Sequence, residues 1–341
     1  MKILLLLPLL SGAALLANQR TPPVAPTYRL LQTTPVGGEG GWDYLAVDAA
    51  AQRLYLSHGT QVEVLDLRTQ QQVGTIANTP GVHGIAPVPA LGRGYITNGR
   101  TNTVLVFDLK TLQPITTLPT GIKPDDVLYD SASGRVFIFN NGATTATVLD
   151  AATNTVVGTV ELGGAPEAAV ADGKGQIFVN LEDKSEVVGF DAKTLAVRHR
   201  WSVAPGEEPT GLALDPVHHR LFSMCGNQLA VVLNAETGAV VAKLPIGQGV
   251  DGAVFDETTQ AAVASNGEGT LTVLHEDSPN RFHAETIPSA RGARTITLDP
   301  TTHRLYLPTA ELGAAPAPTA AAPHPRPRIV PGTFHVLTFG R

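Results

Sequence analysis

A short apolar strand that closes on an acidic residue returns along the chain at a nearly fixed interval, and this repetition limits the fold more than any other feature. It reads Tyr44-Leu45-Ala46-Val47-Asp48, Val127-Leu128-Tyr129-Asp130, Ala168-Ala169-Val170-Ala171-Asp172, Leu212-Ala213-Leu214-Asp215, Ala253-Val254-Phe255-Asp256 and Ile296-Thr297-Leu298-Asp299. The closing Asp residues stand 82, 42, 43, 41 and 43 positions apart; Gly84-Ile85-Ala86-Pro87-Val88 fills the double interval, with Val88 in the acidic place, which makes seven units.

Each unit continues with an aromatic or apolar strand, such as Arg53-Leu54-Tyr55-Leu56 or Arg135-Val136-Phe137-Ile138. A third strand ends in Asp at Asp66, Asp108, Asp150 and Asp191, each three residues before a Thr, a spacing in which the carboxylate accepts backbone N–H groups of the following turn. A fourth strand, for example Gln72-Val73-Gly74-Thr75-Ile76, closes the unit, and no helical periodicity intervenes. Short strands separated by tight turns also suit a chain with 34 Gly, 26 Pro and only 16% charged residues. Four antiparallel strands repeated in this way specify an all-β fold, a seven-bladed β-propeller, rather than a sandwich or solenoid. The last unit has three strands of its own, ending at Phe334–Thr338, while Thr27–Leu31 precedes the first unit as an unpaired strand. Pairing those two closes the ring and removes two sheet edges that would invite aggregation.

The segments Tyr95-Ile96-Thr97-Asn98 and Thr103-Val104-Leu105-Val106-Phe107-Asp108, with degenerate copies such as Phe137-Ile138-Phe139-Asn140, resemble the repeat of the YVTN (YncE-like) β-propeller family. The resemblance implies the propeller fold and an exported protein, and it brings no shared catalytic residue. It also implies a Cys ahead of Glu207-Glu208-Pro209-Thr210-Gly211 that could pair with one near Cys225; Gly206 stands there instead, which leaves Cys225, the sole cysteine, unpaired, either buried or exposed and reactive.

Met1-Lys2 and the apolar run Ile3 to Ala17 read as a signal peptide, 1–17, followed by a linker, 18–26, and a single propeller domain, 27–341. The run is too short to be a membrane span, and no later segment is long enough. The expected location is therefore periplasmic or secreted. A net charge of -6 argues against nucleic acid as a partner, because general phosphate attraction needs clustered Lys and Arg.

In a propeller the innermost strand of each blade lines the central channel, so equivalent residues just ahead of these strands ring one mouth. Five residues before each closing position stand Asp43, His83, Asp125, Glu167, Thr210, Asp251 and Arg294. Trp42, Lys123, Asp126, Glu207, Glu208 and Arg291 adjoin them, and the loops after the second strands add Asn98 and Arg100 among other polar residues. The expected ligand-binding set at this mouth is Asp43, His83, Asp125, Glu167, Asp251, Arg294, Asn98, Arg100, Glu208 and Arg291. Oxygen donors converging from several blades suit a divalent cation such as Ca2+, with Asp43, Asp125, Glu167 and Asp251 as its expected ligands. His83 with Asp125 or Glu167 could alternatively form an acid/base pair. The stretch 313–331, rich in Ala and Pro, interrupts the last blade between its second and third strands as an excursion without a core of its own.

No nucleophile elbow, phosphate-binding loop, metal-spaced His/Cys cluster or dinucleotide fingerprint is present. Two readings follow. The first is an exported propeller that binds a small molecule or an envelope protein over its polar mouth; the second is a metal-assisted hydrolase or lactonase acting there.

Overall fold

The computed structural model describes residues 27–316 and 327–341; the signal-peptide and linker assignments, and the middle of the Pro/Ala-rich insert, lie outside them. Seven four-stranded antiparallel sheets form the described fold, each with its strands in sequential order from the inside outward except the last. Blade one runs Trp42–Asp48, Arg53–His58, Gln61–Asp66 and Gln72–Ile76. The innermost strands of blades two to six are Val82–Val88, Pro124–Asp130, Pro166–Ala171, Pro209–Asp215 and Val250–Asp256. Blade seven takes Thr297–Asp299, Arg304–Thr309 and His335–Gly340 from the end of the chain and its outermost strand, Arg29–Pro35, from the beginning.

The closure therefore forms as expected, but both partners lie further along the chain than the sequence indicates. Arg29 pairs with Gly340 and Pro35 with His335, with a register shift between Leu30 and Gln32. Arg29–Pro35 is exposed at nearly every position, so no alternation marks its ends. The side chain of Tyr28, fully buried, reaches across to blade six, where its hydroxyl donates to Asp256 at 2.5 Å.

Apolar burial, the main driving force for such a fold, is divided among seven clusters, each in the cleft between neighbouring blades. Tyr55 and Val64 of blade one meet Ile85 and Ile96 of blade two, and Trp42 and Leu45 meet Tyr306 and Val336 across the closing junction. The carboxylate turns are also in place: the backbone N–H groups of Thr69, Thr111, Thr153 and Thr194 donate to Asp66, Asp108, Asp150 and Asp191 at 2.7–2.9 Å.

The innermost strands approach one another closely where glycine allows it. A Cβ on Gly84 would lie 2.7 Å from the carbonyl oxygen of Asp125, and one on Gly211 would lie 2.8 Å from the carbonyl carbon of Gly252. Cys225 is free and buried, and its burial pushes the thiol up to about 12, so it is an inert core residue. No helix of the described residues is long and apolar enough to cross a membrane.

Candidate functional site

The innermost strands of blades one to six share an irregularity at their start. Pairing slips between Trp42 and Leu45, Val82 and Ile85, Pro124 and Val127, Pro166 and Ala169, Pro209 and Leu212, and Val250 and Gly252. A bulge inserts an unpaired residue and re-aims the side chains beside it. Asp43, His83, Asp125, Glu167, Thr210 and Asp251 fall within these bulges, and Arg294 supplies the seventh position from a turn ahead of the short strand Thr297–Asp299.

Five of the seven form a continuous arc in which acidic and basic side chains alternate. Arg294 donates through Nε to Asp251 at 2.5 Å, and its Nη2 stands 3.6 Å from Asp43. Asp43 in turn lies 2.5 Å from His83 Nδ1, which is 3.6 Å from Asp125. The arc thus crosses blades six, seven, one, two and three in order. Glu167 sits beyond its end, accepting from Asn141 at 3.1 Å, and Thr210 turns its hydroxyl to the carbonyl of Val250 at 3.0 Å.

Backbone carbonyls at the ring are tied to the blade before them. Thr97 donates to the carbonyl of Asp125 at 2.5 Å, Asn180 to that of Thr210 at 3.0 Å and Ser265 to that of Arg294 at 2.5 Å. Each tether is the penultimate residue of a second strand. A polar residue recurring at that place in an otherwise apolar strand is the signal that the repeat contains and that the reading of loops alone misses.

The electrostatics follow from this crowding. Burial, reinforced by Asp43, pushes the carboxyl of Asp125 up to about 8, so the acid form persists at neutral pH. Burial, then Asp125 and Glu182, drives Glu167 well above the carboxylate range, to about 10. Burial also lifts Asp126 to about 6, against the hydrogen bonds it accepts from the backbone of Ala169 and Val127. His83 is raised as well, but for a different reason: its hydrogen bond to Asp43 outweighs burial and favours the imidazolium. Burial works against Arg294, yet Asp251 and Asp43 hold it charged.

Asp43, His83 and Asp125 each offer a ligand atom, all within 4.8 Å of one another, and among the described residues they are the one set of three or more that does. Of the four carboxylates expected to hold a cation, Asp43 and Asp125 belong to this set; Asp251 is engaged by Arg294 and Glu167 by Asn141. Asn98 departs from expectation. It is 2% exposed, and its amide donates to Thr103, so it secures its own turn instead of facing the mouth. Asn140 and Asn266 are buried in the same way on Thr147 and Thr272. Arg100, Glu208 and Arg291 are exposed.

A cavity of about 630 Å³ opens beside the arc, lined by Trp42, Arg291, Arg294, Glu268, Leu312 and Ile329 among others. Leu312, just ahead of the Pro/Ala-rich insert, and Ile329, near its end, pair as an isolated antiparallel bridge.

No protein-family model matches the chain, and no curated protein matches its sequence. Among solved structures, the hydrazine synthase of Kuenenia stuttgartiensis superposes with a TM-score of 0.71 at 15% identity, over 81% of this chain and 94% of that one, a likeness of fold alone.

Proposed function

We propose that the chain is an exported propeller whose role is binding, with a divalent cation or a polar ligand held at the channel mouth by Asp43, His83 and Asp125. The convergence of these three donors within 4.8 Å carries the reading. Burial keeps Asp125 and Glu167 protonated at neutral pH, and a divalent cation is able to displace such protons. An imidazole among the donors shifts the preference from calcium, which takes oxygen ligands, towards ions such as Mn2+ or Zn2+ that accept nitrogen. Export is supported by the apolar run ahead of Asn18, and the likeness of Tyr95-Ile96-Thr97-Asn98 to the YVTN repeat points the same way.

Metal-assisted hydrolysis is the second reading, and it draws on the same geometry. An ion on this set would polarise a carbonyl and activate a bound water. Elemental analysis of the mature protein, with a thermal melt before and after chelation, tests the cation. Stoichiometric metal with a melting temperature that falls on chelation supports it and calls for an ester and lactone screen. Absence of metal, with no uptake of Mn2+, Zn2+ or Ca2+ by calorimetry, rejects it and leaves a metal-free binding mouth.

A further inference from the structure

We propose that the cavity beside the charged arc is a second site, built for a small organic molecule carrying one negative charge on an apolar body. The inference rests on the reading that the mouth face is where this propeller binds, and it adds a location and a ligand class distinct from the cation centre. Its volume, about 630 Å³, is in the range of small-molecule sites.

Its lining is part polar and part apolar. Two guanidinium groups belong to it, but they are not equivalent. Arg294 is committed to Asp251 and Asp43. The Arg291 side chain is exposed and makes no hydrogen bond or ion pair among the described residues; only its carbonyl is engaged, by Thr309 at 2.9 Å. With no partner among the described residues, the Arg291 guanidinium is open to an incoming anion, which it can hold by charge-assisted hydrogen bonds. Glu268, which also lines the cavity, accepts from Thr270 at 3.0 Å, and its charge opposes a second negative group on the ligand.

The apolar part of the lining is anchored. Leu312 and Ile329 pair with each other, Gly313 donates to the carbonyl of Arg328 at 2.8 Å, and Val330 donates to that of Glu311 at 2.9 Å. Both side chains pack against the cluster that contains Trp42. Trp42 is 8% exposed and stacks on Phe334, and its buried indole N–H finds no acceptor among the described residues. Buried donors in native proteins are nearly always satisfied by protein, water or ligand. Gly292 completes the cavity at a φ of +87°; a Cβ there would meet Thr309, Leu312 and Trp42 at 3.1–3.3 Å.

The test uses the mature protein with Trp201→Phe, which leaves Trp42 as the sole indole reporter. The probe is 8-anilinonaphthalene-1-sulfonate, one anion on an aromatic body, compared with N-phenyl-1-naphthylamine, the same framework without the charge. The expected result is saturable binding of the sulfonate at one site, with quenching of Trp42 emission. Arg291→Gln should weaken the sulfonate about tenfold and leave the neutral probe within about twofold, as loss of one charge contact does. Ile329→Ser should weaken both. Binding that does not saturate, binding unchanged by Arg291→Gln, or equal weakening of both probes by that substitution overturns the proposal. Neither Arg291 nor Ile329 is a donor of the cation centre, so failure of metal uptake and failure of this site are separate results.

Discussion

Thr97 illustrates how much of the mouth is set by single residues that carry no charge. Its hydroxyl donates to the carbonyl of Asp125 and accepts the N–H of Gly84 at 2.8 Å, which fixes the bulge that aims Asp125. Thr97→Val keeps the shape and removes both bonds. It should destabilise the fold by about 1–3 kcal/mol in urea denaturation, since buried backbone groups lose their partners. It should also weaken divalent binding in calorimetry if Asp125 is a ligand. Gly84→Ala acts on the same strand by volume: the added methyl meets backbone of blade three, which cannot yield as a side chain could, and about 1–3 kcal/mol of destabilisation is expected. The ring residues were legible because the repeat gives each position a phase, and the phase places Asp43, His83, Asp125 and Arg294 together. Asn98 was not, because an Asn at a turn reads alike whether its amide faces water or donates to Thr103. The tether at Thr97 stayed hidden for a related reason: one hydroxyl in an apolar strand has the pattern of ordinary alternation.

Among elements, the outermost strand of blade seven is the one on which the ring depends. Repetition alone shows that the last unit lacks a strand and that the beginning of the chain can supply it, so the closure is readable. Its limits are not, because Arg29–Pro35 is solvated on both faces and has no buried stripe to mark them. The buried contact that anchors it lies just ahead, where Tyr28 donates to an Asp256 that is 0% exposed and also accepts from Thr258 N–H at 2.9 Å and meets His303 Nδ1 at 2.9 Å. Tyr28→Phe should cost about 1–3 kcal/mol, read as a lower urea midpoint with an unchanged slope, because Asp256 loses a donor where no water reaches it. Removing residues 27–35 with the preceding segment should do more. It bares the edge of His335–Gly340, and size-exclusion chromatography should show higher-order species in place of the single peak of the intact chain.

At the scale of the whole molecule, the gathering of acids at one mouth should govern the response of stability to pH. Asp125, Asp126 and Glu167 hold their protons in the folded chain to about 8, about 6 and about 10, whereas in the unfolded chain they titrate near the ordinary carboxylate value. Above that value the folded state therefore binds more protons than the unfolded state, and stability must fall as pH rises. His83 adds to the same trend. Its folded value is raised by Asp43, so its contribution is complete below the unfolded value and is lost as pH climbs through the folded one. His275, lowered by burial and by His283, opposes the trend as a single group. The melting temperature should thus decline between pH 5 and pH 8, by roughly 5 °C for a domain of this size. Carboxylates paired with cations finish titrating below this window and give no slope within it, so a decline there is diagnostic. Asp125→Asn, which removes the titration and keeps the shape, should flatten the decline; an unchanged slope in that variant would place the excess protons elsewhere. Addition of Mn2+ at pH 8 should restore part of the loss in the parent protein and little in the variant, because the ion displaces protons from a donor that Asn no longer provides.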